Sequence, residues 1–412
     1  MYLFPLVLTA AGAWHTGPRL LPSLHVARST LTGRAGVTTT LSWAYLSPAA
    51  STGGTPIASC NFTDSIQEDG WSRLVCSTSP LFSDEQQAYA AGYLEGHTTS
   101  GKIYEGIVNT GANFSWPPPL ARFLEENDLF MRRSIVTEAP SPFWHQVSLV
   151  LTQLDGLQYG FADAPKPPGQ PWVPPRALYN VQLGGDMEDL SAALNLSTSP
   201  RRAARAAARR AALGAAFASE GDEGGGHCSA LVRLLGDSSD VLFGQVTWAG
   251  FEDMTRILKT YSFPFSTTGE AGAPRVPAES VVFSSDPASL FSGDDFYLMH
   301  PTRLAMLETT IGNNNMTLYS LFVKPDTVLE WVRNVVANRL AASGPEWAEV
   351  FSLHNSGTYN NVREWLPAAL QVFFFRQYFG SNQLTRAHTH THTHTHTYTL
   401  HDSPIGEPNC GL

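Results

Sequence analysis

The order of apolar and polar positions predicts helices at several places along the chain. Ser83–Gln86 has the pattern of a capping box and predicts a helix that ends near Gly96. Ser141, followed by proline, predicts a second helix start, and the apolar stripe behind it stops at Gly156. A further helix is expected after the proline run 117–119. Their apolar stripes are typical of helices that pack on a core.

Alternating and β-branched runs predict strands in the remaining segments. These runs are Leu41–Tyr45, parts of Asn61–Ser79, Ser229–Leu235, Asp240–Val246, Val281–Phe283 and Leu304–Ile311. Ser229–Leu235 and Asp240–Val246 are joined by a short turn and predict a hairpin. Mixed strands and helices favour a layered arrangement with mostly antiparallel sheets.

Two helices are expected in the second half of the chain. The first places Phe251, Met254, Leu258 and Tyr261 on one side. The second is long and is capped by Asp326, which follows a proline. A short acidic helix is also expected to end near residue 194.

Composition fits a folded, secreted protein. Hydrophobic residues make up 43% of the chain and charged residues 15%, which excludes a solvated, disordered class. The net charge of −10 disfavours nucleic acid as a partner.

Residues 1–13 resemble a signal peptide, and no later run is long and apolar enough for a transmembrane segment. The sequons at Asn61, Asn113, Asn195 and Asn315 predict glycosylation on a secretory route.

The four cysteines are too few for a disulfide scaffold. In an oxidising compartment Cys60 and Cys76 can pair, which leaves Cys228 as a free thiol. Cys228 follows the acidic glycine run 220–226 and begins an apolar strand. If the bond before it were cut, its thiol would be a nucleophile and its new α-amine a base on the same residue. Taken alone, these residues favour a small buried cysteine after a glycine loop.

Two segments have a biased composition. Residues 201–227 join an arginine-alanine run to the glycine run and predict a flexible linker that is removed or cut on maturation. Six of the 13 histidines lie between His388 and His401, a stretch that begins with a His-Thr repeat. A metal-binding tract is one interpretation. Translation of a dinucleotide repeat from a wrong gene model is the one we favour, so we expect a disordered tail over residues 362–412.

Several motifs together resemble the phospholipase B-like family of lysosomal glycoproteins. They are Gln87–Gly92, Gly226–Leu231, Leu307–Asn313, Val328–Asn334, Ala337–Leu340 and Asn355–Asn361. The resemblance implies an α+β fold, the four-layered αββα sandwich of N-terminal nucleophile hydrolases. Residues 14–200 would be its N-terminal fragment and residues 228–361 the start of the catalytic fragment. The sandwich would be incomplete, because members continue past this region with further strands and an active-site asparagine and arginine.

The resemblance also implies which residues carry the chemistry. Cys228 would attack the His227–Cys228 bond and then serve as the catalytic nucleophile, held with its own N-terminal fragment as partner. Trp248 matches an active-site tryptophan, Gln245 stands where members often have histidine, and Thr310 is a further candidate for lining the site.

The implied function is hydrolysis of acyl ester or amide bonds in lipid-like substrates, in the lysosome lumen or after secretion. No cofactor or metal is expected. The alternative is a catalytically inactive truncated isoform or mispredicted gene product that acts at most as a binding glycoprotein. A papain-like protease would need a separate histidine partner and a local signature that Cys228 lacks.

Overall fold

The computed structural model of the chain describes residues 23–32, 38–47, 55–196, 200, 203, 204, 207, 227–236, 240–310, 315–359, 361–367 and 373–376. The predicted signal peptide at residues 1–13, most of the predicted linker and the His-Thr repeat lie outside these residues.

The strands form one large sheet and a separate hairpin. They are β1 (Ser23–Thr32), β2 (Thr38–Ser47), β3 (Ala58–Ser65), β4 (Trp71–Thr78), β5 (His227–Leu234), β6 (Val241–Trp248), β7 (Ile257–Ser262), β8 (Ser280–Ser285), β9 (Tyr297–His300), β10 (Leu304–Thr310), β11 (Asn361–Pro367) and β12 (Phe373–Arg376). The large sheet has the order β1-β2-β3-β4-β7-β8-β9-β10-β11-β12, and β5 pairs with β6. Its pairs are antiparallel apart from β4 and β7, which run parallel.

Most of the helices lie between β4 and β5 in sequence, one lies between β3 and β4, and three lie between β10 and β11. They are α1 (Ile66–Asp69), α2 (Asp84–Thr98), α3 (Ser100–Thr110), α4 (Pro118–Thr137), α5 (Pro142–Asp163), α6 (Pro175–Gln182), α7 (Asp186–Ala193), α8 (Met316–Phe322), α9 (Glu330–Leu340) and α10 (Gly344–Ser352). Together with the sheet they make an α+β protein, as predicted. None of the helices within the described ranges combines the length and the apolar character that crossing a bilayer requires.

One face of the large sheet is covered by helices. Alternate residues of its strands, such as Phe62, Leu74 and Ile257, are buried in one core with residues of α2, α5, α9 and α10. Cys60 and Cys76 lie opposite each other on β3 and β4 in this core and form a disulfide. The helix-covered face therefore holds the main core of the sheet.

The other face carries the β5-β6 hairpin. Successive side chains of a strand point to opposite faces, so Ala305 and Leu307 of β10 face away from the helices. Both are buried, and Val232 and Phe243 of the hairpin pack against them. The hairpin that contains Cys228 is thus stacked on the large sheet near β10.

Helices α2 and α5 approach each other closely through four glycines. A Cβ at Gly92 would lie 1.9 Å from the Gln153 carbonyl oxygen, and one at Gly160 would lie 1.9 Å from that of Tyr93. Gly96 and Gly156 meet the facing backbone at 2.1 and 2.2 Å. The contact therefore has room for no side chain at these positions.

The predicted helix through Phe251 and Tyr261 is wrong. Phe251–Asp253 form a single 3₁₀ turn, and Ile257–Ser262 are strand β7, whose alternate residues are buried. An apolar pattern this short fits either structure. The parallel pairing of β7 with β4, a partner far away in sequence, decides for the strand.

Two predicted helix ends are also wrong. The helix expected to stop at Gly156 continues to Asp163, because Gly156 packs against the backbone of α2. The helix expected to be capped by Asp326 begins at Glu330, and Leu329 at its N-cap makes no side-chain bond. The backbone N–H of Glu330 instead donates to Asp186 Oδ1 at 3.0 Å.

Strands β11 and β12 fall within residues 362–412, apart from Asn361 at the start of β11. β11 pairs with β10 and β12 pairs with β11, both antiparallel. This part of the segment, for which we expected a disordered tail, therefore continues the large sheet.

Candidate active site

Cys228 lies on the inner face of the β5-β6 hairpin. It is directly opposite Thr247, and Ala230 is opposite Gln245. Side chains opposite each other in an antiparallel pair share a face, so Cys228, Thr247 and Gln245 all point toward the large sheet. The thiol is partly buried and is not in a disulfide. Thr309 of β10 donates a hydrogen bond to the Cys228 carbonyl oxygen at 3.3 Å and so ties the hairpin to the sheet.

The surroundings of Cys228 keep its thiol protonated. Burial raises the pKa of the thiol to about 12, and the negative charges of Glu308 and Asp295 act in the same direction. Gln245 opposes this effect and lowers the pKa, although neither of its amide atoms makes a regular hydrogen bond within the described residues. The thiolate is therefore strongly disfavoured in the chain as it stands.

A buried polar layer lies behind the hairpin, and sequence reasoning missed most of it. Asn334 of α9 donates to Asp295 Oδ1 at 2.8 Å and to Glu330 Oε1 at 3.0 Å. Tyr359 donates its hydroxyl to Glu308 Oε1 at 3.4 Å. Asp295, Glu308, Glu330 and Asn334 are fully buried. Charged and amide residues are rarely buried without partners, so their burial was not expected from the sequence. The sequence marked some of them only because they fall in the motifs of the family resemblance.

Thr247 begins a second polar group on the hairpin side. Its hydroxyl donates to Asp294 Oδ1 at 2.8 Å. Arg256 forms ion pairs with both Asp294 and Asp286. Nothing in the sequence pattern predicted this group, because its members come from β6, the segment before β7 and two positions around residue 290.

The other predicted site residues have different positions. Gln245 shares the inner face with Cys228, whereas Trp248 is opposite His227 and its side chain is 58% exposed. Thr310 pairs with Asn361 at the end of β10. The structure therefore brings Gln245 to the thiol and leaves Trp248 at the surface.

The four predicted glycosylation asparagines are all exposed. Asn61 lies on β3, Asn113 follows α3 and Asn195 follows α7. Asn315 is the N-cap of α8, where its Oδ1 accepts from the backbone N–H of Thr317 at 3.2 Å. All four side chains are thus accessible to a modifying enzyme. Among the described residues, no group of three histidine, cysteine, aspartate or glutamate side chains is placed to hold a metal ion.

The raised pKa of Cys228 predicts slow alkylation of the uncut chain. At pH 8 a thiol with a pKa of about 12 is about one ten-thousandth thiolate, whereas one at the ordinary value of 9.0 is about one-tenth thiolate. We expect iodoacetamide to react about a thousand times more slowly with folded than with urea-unfolded chain. We expect the folded rate to rise about tenfold per pH unit, because the thiolate fraction does so below the pKa.

The measurement is mass spectrometry of peptides that span the intact His227–Cys228 bond, in a Cys410→Ser background, so that one free thiol remains. Equal rates in the folded and unfolded chains would contradict the raised pKa.

Comparisons with known proteins identify the family. Residues 58–385 match the family described as Phospholipase B, which extends the match into the segment expected to be a tail. "Putative phospholipase B-like 2" of Mus musculus is 38% identical over 327 residues, 77% of this chain and 51% of that protein.

Relatives from distant organisms match over the same extent. "Phospholipase B-like protein B" of Dictyostelium discoideum is 35% identical over 318 residues, 76% of this chain and 52% of its own length. "Putative phospholipase B-like 1" of Caenorhabditis elegans is 37% identical over 326 residues, 77% of this chain and 51% of its own length. The chain thus spans about half the length of the curated relatives it matches. A match over residues 58–385 covers most of the chain, which therefore belongs to the phospholipase B family.

Proposed function

We propose that this chain carries the nucleophile of an acyl hydrolase of the N-terminal nucleophile type, which cuts ester or amide bonds in lipid-like substrates. The observation that carries the proposal is the position of Cys228. It lies at the second residue of β5, one residue after the glycine run, and points inward next to a hydroxyl and an amide. Cleavage of the His227–Cys228 bond would make it the first residue of a new chain.

Cleavage would change the chemistry of the thiol. The backbone nitrogen of Cys228 would become an α-amine, whose usual pKa of about 7.7 to 8.0 suits a general base. In its protonated form this amine would add a positive charge next to the sulfur, among the carboxylates that now disfavour the thiolate. The cleaved site would thus be activated where the uncut site is inert.

The αββα sandwich of this enzyme type is the architecture we propose for the complete protein. Its support here is the stacking of the β5-β6 hairpin on one face of the large sheet, with helices on the other face. We also propose a luminal glycoprotein, in the lysosome or secreted. The Cys60–Cys76 disulfide and the four exposed sequon asparagines support this location.

Intact-mass analysis of the expressed chain tests the proposed function. We expect two fragments that stay associated, one of them beginning at Cys228, because the nucleophile and the scissile bond belong to the same residue. Cys228→Ala is expected to remain a single chain, since it lacks the sulfur that attacks. Gel filtration and a thermal melt of the variant show whether it is folded.

Two results would contradict the proposal. One is a wild-type chain that folds but is never cut before Cys228. The other is a Cys228→Ala chain that is cut there without an added protease. An uncut wild-type chain is also what the alternative of a non-catalytic binding glycoprotein predicts.

A further inference from the structure

The uncut chain lacks the base that the mature site would use. Before cleavage the nitrogen of Cys228 is an amide in the bond to His227, and an amide nitrogen does not accept a proton at neutral pH. Another group has to take the thiol proton when the sulfur attacks. That group has to lie next to the thiol, and its role rests on the proposed function of self-cleavage.

Thr247 is placed to receive that proton. It lies directly across the hairpin from Cys228, with its side chain on the same inner face. Its hydroxyl donates to Asp294 Oδ1 at 2.8 Å. A hydroxyl has one hydrogen and two lone pairs, so a hydroxyl whose hydrogen is held by a carboxylate presents lone pairs to other donors. The S–H of Cys228 is the donor that the strand register brings to it.

Asp294 is itself held in place. Its carboxylate pairs with Arg256, which also pairs with Asp286, so the carboxylate that holds Thr247 is anchored by a guanidinium. Asp294 is 9% exposed. The Arg256 guanidinium lies over the ring of Trp71, 5.8 Å from its centroid. The partners of Thr247 therefore belong to the body of the protein and not to the hairpin.

Glu308 and Asp295 are the other acids near the thiol, and their geometry differs. Glu308 alternates with Leu307 and Thr309, which face the hairpin, so its own side chain points to the helix-covered face and accepts from Tyr359. Asp295 accepts from Asn334 of α9. Both act on Cys228 through charge, whereas Thr247 lies next to it.

We propose that Thr247, oriented by Asp294, relays the thiol proton of Cys228 during cleavage of the His227–Cys228 bond. The S–H proton moves to Thr247 Oγ1 while the Thr247 hydroxyl proton moves to Asp294. The sulfur forms a bond to the carbonyl carbon of His227. As the carbon–nitrogen bond breaks, the proton returns from Asp294 through Thr247 to the Cys228 nitrogen.

The products balance. The first step leaves a thioester between His227 and the Cys228 sulfur, a free α-amine, and Thr247 and Asp294 in their starting states. Water then hydrolyses the thioester to the His227 carboxylate and the Cys228 thiol. The relay is used once in the life of the chain, after which the α-amine takes over as the base.

The test is the rate of fragment formation, followed by intact mass after refolding, in Thr247→Val and Thr247→Ser. Valine keeps the shape of threonine without the hydroxyl, whereas serine keeps the hydroxyl. We expect the valine chain to be cut about a hundred times more slowly or worse, because proton transfer by a placed side chain contributes about 10² to 10⁴ in rate. We expect the serine chain to stay within about tenfold of the wild type.

Hydroxylamine separates the chemical step from general damage to the site. It cleaves thioesters, so it speeds up any chain that stalls after the sulfur has attacked. We expect no rescue of Thr247→Val by hydroxylamine, because this variant stalls before the thioester forms. Rescue would overturn the relay, and so would equal slowing of the valine and serine chains.

Asp294→Asn decides the outcome if Thr247→Val fails to fold. The asparagine variant is expected to be cut at least about tenfold more slowly, since an amide cannot take up the relayed proton. A normal rate in this variant overturns the relay. The same applies to a normal rate in a folded Thr247→Val chain, while self-cleavage itself would stand. A wild-type chain that is never cut overturns the proposed function instead.

Discussion

Gly92→Ala is expected to destabilise the protein by about 3 kcal/mol or more, because its methyl group has no space between α2 and α5. The new Cβ would lie 1.9 Å from the carbonyl oxygen of Gln153 and 2.9 Å from the backbone nitrogen of Leu157. Real Cβ contacts this short do not occur, and the atoms in the way are backbone. The helices therefore have to move apart along their whole contact.

The separation of the helices would loosen more than one contact. Gly156 and Gly160 of α5 meet the backbone of Tyr89 and Tyr93 in the same way, so the four glycines act as one seam. Ala88, Ala91 and Leu94 of α2 are in the core beneath the sheet, and Leu149 of α5 belongs to the same core. Moving α2 would open that core, which adds a cavity cost to the clash.

Gly101→Ala is the matched control, because Gly101 is also helical, in α3, and nothing lies within 4 Å of its Cβ position. Alanine has a higher helix propensity than glycine by up to about 1 kcal/mol, so this variant is expected to be slightly more stable than the wild type. Urea unfolding followed by circular dichroism compares the two. Equal stability of Gly92→Ala and Gly101→Ala would show that the helices adjust at little cost.

Lys259→Met is expected to cost about 3 to 5 kcal/mol, the usual effect of removing one partner of a buried ion pair. Lys259 lies on β7 and is fully buried. Its Nζ donates to Glu95 Oε1 of α2 at 2.7 Å and to the carbonyl oxygen of Ser289 at 2.5 Å. Tyr261 donates its hydroxyl to the other oxygen of Glu95. Methionine fills the volume but leaves the Glu95 carboxylate, which is 1% exposed, without its counter-ion.

The double variant Lys259→Met with Glu95→Gln separates the charge from the packing. Glutamine keeps an acceptor for Tyr261 and removes the negative charge, so the double variant is expected to be more stable than Lys259→Met alone. The losses of unfolding free energy in Lys259→Met and in Glu95→Gln, added together, should therefore exceed the loss in the double variant by about 1 kcal/mol or more. Additive costs in urea unfolding would contradict the ion pair as the cause.

Local hydrogen bonds made several features predictable from the sequence. The Ser83 hydroxyl accepts from the backbone N–H of Gln86, and the Gln86 side-chain oxygen accepts from the backbone N–H of Ser83, as the capping box predicted. Ser141 accepts from the backbone N–H of Trp144 at the start of α5. The predicted β5-β6 hairpin is confirmed, since the two strands pair antiparallel. It was predictable because the strands are close in sequence. In each case both partners lie within the same short segment.

The candidate site was predictable only in part. The glycine run and the strand after it marked Cys228 as a candidate, but taken alone they favoured a buried structural cysteine, and the family resemblance was what pointed to Cys228 and Gln245 as site residues. Asp294 lies 47 residues from Thr247 in sequence, and the acids that raise the thiol pKa, Asp295 and Glu308, lie 67 and 80 residues from Cys228. No periodic pattern connects these acids with Cys228 or Thr247. Only Glu308 could be singled out from the sequence, because it lies in a motif of the family resemblance.

Local hydrogen bonds account for the helix starts capped by Ser83 and Ser141 and for the β5-β6 hairpin. The tertiary fold brings distant segments together. It made Ile257–Ser262 a strand by pairing it with β4, and it started α9 at Glu330 by supplying Asp186 to the exposed backbone N–H. It also carried α5 past Gly156 by placing the backbone of α2 against it. The physical reason is the same each time, since a buried backbone or charged group takes the partner that the fold brings near, and a local pattern does not name that partner.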